Sequence, residues 1–124
     1  MSTAAQPGSG DSVAAQPAST PEDLRATLAQ LAPDALSTFD AERSAALQQA
    51  REQVSAAPMR RFVGQWAVYV ALERHPERAA RLRSLEARAA TTERLEEART
   101  IAAEIGRILD MACAEAGVER AEGV

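Results

Sequence analysis

The residues that could do chemistry are few in this chain of 124 residues, which has one histidine and one cysteine. Nucleophilic catalysis needs a base beside the nucleophile, but His75 and Cys113 lie far apart in the sequence. His75 stands at a predicted helix break, where a histidine complements the negative end of a helix dipole. Cys113 adjoins an apolar helical stripe and is interpreted as a small core filler. We therefore predict no catalytic residues and a protein that is not an enzyme.

Three glutamates, Glu93, Glu96 and Glu97, form the closest group of carboxylates. Glu93 and Glu97 share a helix face at four-residue spacing, but a di-metal site in a helical bundle would also need Glu-x-x-His pairs, which are absent. One histidine and one cysteine do not complete the usual zinc-ligand sets either. The sequence thus predicts no metal and no cofactor, and we interpret the glutamates as complements of a helix dipole.

All fourteen basic residues are arginine, and residues 58–91 hold seven of them against three acids, although the net charge of the chain is −4. Four of these arginines follow one helical face across a break at Pro76 and form a candidate basic surface for a phosphate or an acidic partner: Arg74, Arg78, Arg81 and Arg88. The alternative is that they pair with Glu77 and with the acidic last helix. The acidic net charge and the low aromatic content, 3%, argue against nucleic-acid binding.

Apolar periodicity, prolines and capping residues predict an all-α fold, a small bundle of about five helices. The predicted helices span residues 21–32, 34–56, 58–74, 76–90 and 92–116. Thr20, Pro21 and Asp23 signal the start of the first helix, and Gly117 suits the end of the last. The apolar stripe of the second helix is expected to hold Leu36, Phe39, Ala46, Leu47, Ala50 and Val54.

The third predicted helix is apolar around most of its circumference, so we expect it to be the most buried one. It carries Trp66 and also Gly64, which we interpret as a point where another helix can approach closely. Thr91 or Thr92 is expected to cap the fifth helix.

The ends of the chain differ from its centre in composition. Residues 1–20 hold mainly Pro, Gly, Ser, Gln and Ala, so we expect a disordered tail. Residues 21–117 are expected to form one helical domain, followed by a flexible C-terminus at 118–124. No apolar run reaches the roughly 18 residues of a membrane span, no signal-peptide pattern is present, and the single cysteine fits a reducing compartment. These features predict a cytoplasmic protein.

The last predicted helix combines the longest apolar stripe with the most acids and is our candidate for binding a protein partner in a helix-in-groove mode. The candidate partner-binding residues are Glu93, Glu96, Glu97, Ile101, Glu104, Ile105 and Ile108. One alternative is a structural homo-oligomer that closes through the same stripe. Another is weak nucleic-acid binding through the arginines of residues 74–88.

Several distinct short motifs lie between Pro21 and Ala90: Pro21-Glu22-Asp23-Leu24-Arg25, Phe39-Asp40-Ala41-Glu42, Pro58, Trp66 and Pro76-Glu77-Arg78. With these motifs the chain resembles a family of uncharacterised small helical proteins from actinobacteria. Many members have a basic residue where this chain has Ala67, so a role for that charge does not carry over. The resemblance implies a protein similar in size and charge to the antitoxin half of toxin–antitoxin pairs. Together these considerations predict a non-enzymatic interaction or regulatory module, antitoxin-like in character.

Overall fold

The computed structural model describes residues 14–119, which fold into five α-helices. They are α1 (Pro21–Leu31), α2 (Leu36–Gln53), α3 (Ala57–Glu73), α4 (Pro76–Thr91) and α5 (Leu95–Ala116), with a 3₁₀ turn at Pro33–Ala35. No strand occurs within this range, and none of its helices is long and apolar enough to cross a membrane. The predicted all-α fold with five helices is confirmed.

Local signals explain most helix ends. The Thr20 hydroxyl accepts a hydrogen bond from the Asp23 N–H at 3.0 Å, as an N-cap should. Prolines stand in the first turns of α1, α3 and α4, where their missing N–H costs nothing. The start of α5 differs from the prediction by three residues. Thr92 lies in the linker, where its hydroxyl accepts from the Arg94 N–H and donates to Glu97, so Glu93 precedes the helix.

Helix α3 is the centre of the molecule, because it packs against each of the other four helices. Its buried side chains surround an aromatic cluster in which the Phe39 ring lies 5.0 Å from Phe62 and 5.2 Å from Trp66. The Trp66 indole N–H donates to Glu42 Oε1 at 2.9 Å, which satisfies the one polar atom of this large side chain. The prediction that the third helix is the central one is confirmed.

A second core cluster joins α4 to α5. Leu82 and Leu85 of α4 pack against Ile101 and Ile108 of α5, and Leu72 of α3 touches this cluster and the aromatic one. Helix α5 also contributes buried alanines to the main core. The last helix is therefore an integral part of the domain, since it contributes to both core clusters.

Residues 14–19, here called the N-terminal strap, run beside α3. The Gln16 side chain donates to the Ala67 carbonyl at 3.1 Å, and Arg74 donates to the Ala14 carbonyl at 2.9 Å. The structure thus differs from the disordered tail predicted for residues 1–20, because side-chain hydrogen bonds hold its last part where composition alone gives no ordering signal. Residues 1–13 and 120–124, also predicted to be flexible, lie outside the described range.

The end of α2 differs from the predicted apolar stripe. Helix α2 ends at Gln53, and Val54 follows in the left-handed conformation with φ 51°. Its side chain is 90% exposed, and Leu47 is also exposed, so only part of the predicted stripe faces the core. Periodicity predicts a face only while the helix continues, and the chain leaves the helix one residue before Val54.

Candidate interaction surface

The predicted partner-binding stripe on α5 is occupied by the protein itself. Ile101 and Ile108 are buried, and Ile105 packs at the edge of the same cluster against α4. An apolar side chain inside a core is unavailable to a partner unless the helix detaches. The apolar part of this predicted surface is therefore turned inward.

The acidic residues of the same set divide into two groups. Glu104 accepts two hydrogen bonds from Arg81, both at 2.8 Å, and Glu97 accepts from Thr92 at 2.9 Å and from Arg88 at 3.4 Å. Arg81 lowers the pKa of Glu104, and the Thr92 hydroxyl lowers that of Glu97. Glu93 and Glu96 are exposed and make no ion pair with any residue in 14–119.

The predicted basic surface faces carboxylates of α5, as one part of the alternative interpretation proposed, whereas the expected pair with Glu77 does not form because Arg81 pairs with Glu104. Arg74 and Arg78 both donate to Glu115, at 3.0 and 2.9 Å. Arg81 and Arg88 pair with the two α5 glutamates described above. The four guanidinium groups that were predicted to form one basic surface thus lie between α4 and α5, each opposite a carboxylate.

Glu115 is the best-connected carboxylate of this set. The Arg78 guanidinium donates to it twice, which lowers the pKa of Glu115 to about 2. Arg78 also donates to the Ala71 carbonyl at 2.8 Å. This cluster holds the α3–α4 junction against the last turn of α5, a structural role in which two guanidinium groups share one carboxylate.

The residues considered for catalysis are not brought together. His75 Nε2 lies 3.3 Å from Glu115 Oε1 and its ring is part of the same arginine cluster. Cys113 is half-buried on α5, and its carbonyl accepts from the Val118 N–H at 2.9 Å. No group of three or more His, Cys, Asp or Glu side chains within the described part of the chain could hold a metal ion.

A concave surface lies elsewhere, between α3 and the turn that follows α5. Two adjoining hollows of about 520 and about 470 Å³ share Arg60, Gly64 and Val118 in their linings. The rest of the lining is mostly apolar and comes from α3, from the start of α1 and from the end of α5: Gln65, Val68 and Arg61 in the first hollow, and Ser19, Pro21, Ala56, Met59, Val63, Ala116 and Gly117 in the second. We call the two hollows together the α3–α5 groove.

Gly117 sets the shape of this groove. It ends α5 in the left-handed conformation with φ 70°, its N–H donates to Ala114, and the next N–H, of Val118, donates to Cys113. This is the Schellman arrangement that glycine favours at a helix end. The reversal brings Val118 back over α3, where its side chain packs on the main core. The expected helix stop at Gly117 is confirmed, and Val118, predicted to be flexible, is held in place.

Arg60 and Arg61 border the groove and were not singled out from the sequence. Both are exposed, and neither makes an ion pair with a carboxylate in residues 14–119. The sequence does carry a signal that could have indicated these two residues. Two adjacent arginines near the start of a helix are unfavourable for the helix dipole. The groove itself has no sequence signal, because it forms only when α1, α3 and the end of α5 meet.

Comparison with known protein families gives a match to a family model. The profile of DUF6247, a family of unknown function, matches residues 12–109. The chain belongs to DUF6247. The match confirms the predicted membership of an uncharacterised small helical family and extends the resemblance beyond Pro21–Ala90 at both ends. Neither curated proteins nor solved structures give a match.

The DUF6247 match includes one wall of the groove and leaves out the other. It includes the N-terminal strap and the whole of α3, and therefore Arg60, Arg61 and Gly64. It ends before the turn at 116–118 that forms the other wall of the groove. The actinobacterial origin and the antitoxin-like character inferred from the resemblance stay predictions.

Proposed function

We propose that this DUF6247 protein is a non-enzymatic protein-interaction module that binds its partner in the α3–α5 groove. The observation that carries the proposal is the groove itself, two adjoining hollows of about 520 and about 470 Å³ with largely apolar linings. A contiguous exposed apolar concavity on a small domain is typical of an interaction site. Unpaired arginines at its border add a polar rim of the kind found around protein interfaces.

The pairing of charges elsewhere supports this choice of surface. Binding through the apolar stripe of α5 would require Ile101 and Ile108 to leave the core, and binding through Arg74 and Arg78 would require Glu115 to release them. Both changes cost several kcal/mol by the usual magnitudes for core exposure and broken ion pairs, on the order of 2–5 each. The groove needs no such rearrangement.

Affinity capture with three matched baits tests the proposal. The first bait is the wild-type chain, the second carries Arg60→Glu and Arg61→Glu, and the third carries Arg94→Glu and Arg99→Glu. The control arginines lie at the N-cap and in the first turns of α5, about 25–33 Å along that helix from its groove end. All four are exposed, so both variants should fold.

We expect a protein that the wild-type bait and the control bait capture from lysate of the source cells, and that the groove variant loses. Circular dichroism and thermal unfolding of each bait verify that the fold is retained. Capture that is equal for all three baits, or lost only with the control variant, would contradict binding in the groove. Light scattering of the wild-type chain separates a heterologous partner from a second copy.

A further inference from the structure

The arginines of residues 58–91 are almost all accounted for by contacts inside the protein. Five of the seven pair with carboxylates of α3 or α5, at distances from 2.8 to 3.4 Å: Arg74, Arg78, Arg81, Arg83 and Arg88. The two that remain without an ion pair to any described carboxylate are Arg60 and Arg61. Within residues 58–91, the arginines that no described carboxylate contacts are thus adjacent to each other, at the border of the α3–α5 groove.

The position of these two arginines is electrostatically unfavourable for the isolated protein. Arg60 and Arg61 are the fourth and fifth residues of α3, near its positive end, and no acid stands in the first turn. The helix dipole favours acidic side chains there and disfavours basic ones. Neither residue contributes to the core, so the fold itself gives no reason for placing two positive charges at this point.

The groove between them and the end of α5 has a definite length. Its α3 wall extends from Ala56 to Val68, which corresponds to about 18 Å at the rise of an α-helix. A helical segment of about three turns, or an extended segment of about five residues, matches this length. The two hollows offer separate places for two apolar side chains of such a segment.

A second apolar feature is Val54, which is close in sequence to the groove. It is 90% exposed and holds a left-handed conformation that is strained for a β-branched residue. The corresponding position at the end of α5 is a glycine, Gly117. Val54 stands two residues before Ala56, which lines the groove. Backbone strain held at an exposed apolar residue is a feature that clusters at binding sites.

We infer that the α3–α5 groove takes an acidic amphipathic segment of a partner protein. The apolar side chains of the segment fill the two hollows, and its carboxylates accept hydrogen bonds from Arg60 and Arg61. The inference rests on the proposed function and adds the chemistry of the partner. The charge complementarity of the two unpaired guanidinium groups selects this occupant over a neutral or basic one.

Peptide display tests the inference without knowledge of the natural partner. The probe is a random dodecapeptide library, selected against the immobilised full chain and counted by deep sequencing. We expect enriched peptides that combine apolar residues at helical spacing with an excess of Asp and Glu over Arg and Lys. A fluorescent copy of the most enriched peptide should lose about tenfold or more in affinity with the Arg60→Glu/Arg61→Glu variant and with rising salt. The Arg94→Glu/Arg99→Glu variant should bind it as the wild type does.

Four results would overturn the inference: neutral or basic enriched peptides, acidic peptides that bind the groove variant equally well, no enrichment at all, or a dimer of the chain that the groove variant dissolves. The last result would assign the groove to a second copy. If the groove variant loses the lysate partner while the enriched peptides are not acidic, the groove remains a binding site and only the acidic occupant is wrong. If lysate capture is independent of Arg60 and Arg61, the proposed function itself fails.

Discussion

The Cγ2 atom of Val118 lies 3.8 Å from the position that a Cβ atom on Gly64 would occupy. The turn after α5 therefore rests on α3 at Gly64, and these two residues, Gly64 and Val118, line both hollows of the groove. A distance of 3.8 Å is ordinary van der Waals contact, so an alanine fits at this position. The interpretation of Gly64 as the point of close helix approach is therefore wrong, since the approach does not require glycine.

Replacing Gly64 by alanine should separate stability from binding. Alanine forms helix more readily than glycine, so we expect the free energy of unfolding to rise by about 0.5–1 kcal/mol. The added methyl group fills part of the groove floor, and binding of a partner there should weaken. Urea unfolding followed by Trp66 fluorescence measures the first effect, and titration of a groove-binding peptide measures the second. A variant that is less stable than the wild type would contradict the contact geometry at this glycine.

Replacing Val54 by glycine should stabilise the fold. The substitution relieves a left-handed valine, which costs about 1–2 kcal/mol, and the higher entropy of glycine in the unfolded chain offsets part of that gain. We expect a net gain of about 0.5–1 kcal/mol, measured as a higher midpoint in thermal unfolding. The matched control is Gly117→Val, which places the strained residue at the end of α5 and should destabilise. A lower midpoint for Val54→Gly, or an unchanged or higher midpoint for Gly117→Val, would contradict the assigned conformations.

Replacing Glu115 by glutamine should destabilise the protein strongly. The side chains of Arg74 and Arg78 are each 14% exposed, and the substitution leaves both without a charged partner. We expect a loss of about 2–3 kcal/mol, since an unpaired, largely buried charge is costly. The control Glu104→Gln breaks a pair whose arginine is 47% exposed, and it should cost much less, because solvent screens an exposed ion pair. Urea unfolding at neutral pH measures both variants.

The same carboxylate predicts an acid-sensitive part of the stability. Hydrogen bonds from Arg78 hold the pKa of Glu115 at about 2 in the folded protein, below its ordinary value of 4.5. A group whose pKa is lower in the folded state stabilises the fold above its unfolded pKa and loses that contribution as the pH falls. The stability of the wild type should therefore fall from pH 4.5 towards pH 2 more steeply than that of Glu115→Gln. Parallel curves for the two proteins would contradict the assignment.

Deleting the N-terminal strap should cost stability, whereas a shorter deletion should not. Removal of residues 1–18 eliminates the hydrogen bonds of Gln16 to Ala67 and of Arg74 to Ala14, and about 1–2 kcal/mol should be lost at the usual value per bond. Removal of residues 1–12 leaves both bonds in place and is the control. Thermal unfolding compares the two truncations. Identical midpoints would show that the strap contributes nothing to the fold.

Local signals explain why so much of the fold was predictable. Thr20 and Pro21 carry a complete N-cap pattern, Pro76 starts α4, and Gly117 ends α5, each through the backbone of its own neighbourhood. The start of α5 was misplaced because Thr92 can cap a helix or bond within a linker, and tertiary packing decides between the two. Val54 was misplaced because periodicity does not report where a helix stops.

The candidate surface was not predictable in the same way. The distribution of charge indicated that acidic residues of α5 could pair with the arginines of residues 74–88. It did not show that Arg74 and Arg78 both pair with Glu115. That contact depends on the register between α4 and α5. The groove depends on α1, α3 and the turn at 116–118 meeting in space, and no single segment carries its pattern. Of the groove residues, only the adjacent Arg60 and Arg61 at a helix start carry a sequence signal of their own.

The most direct test of the central claim is amide hydrogen–deuterium exchange with and without a bound partner, either the captured protein or an enriched peptide. Binding in the α3–α5 groove predicts slower exchange in residues 56–68 and 116–118 and no change in residues 93–105 or 76–90. Protection of residues 93–105 would favour the acidic helix predicted from the sequence. Protection of residues 76–90 would favour the arginine surface. Either result, without protection of residues 56–68, would contradict the groove as the binding site.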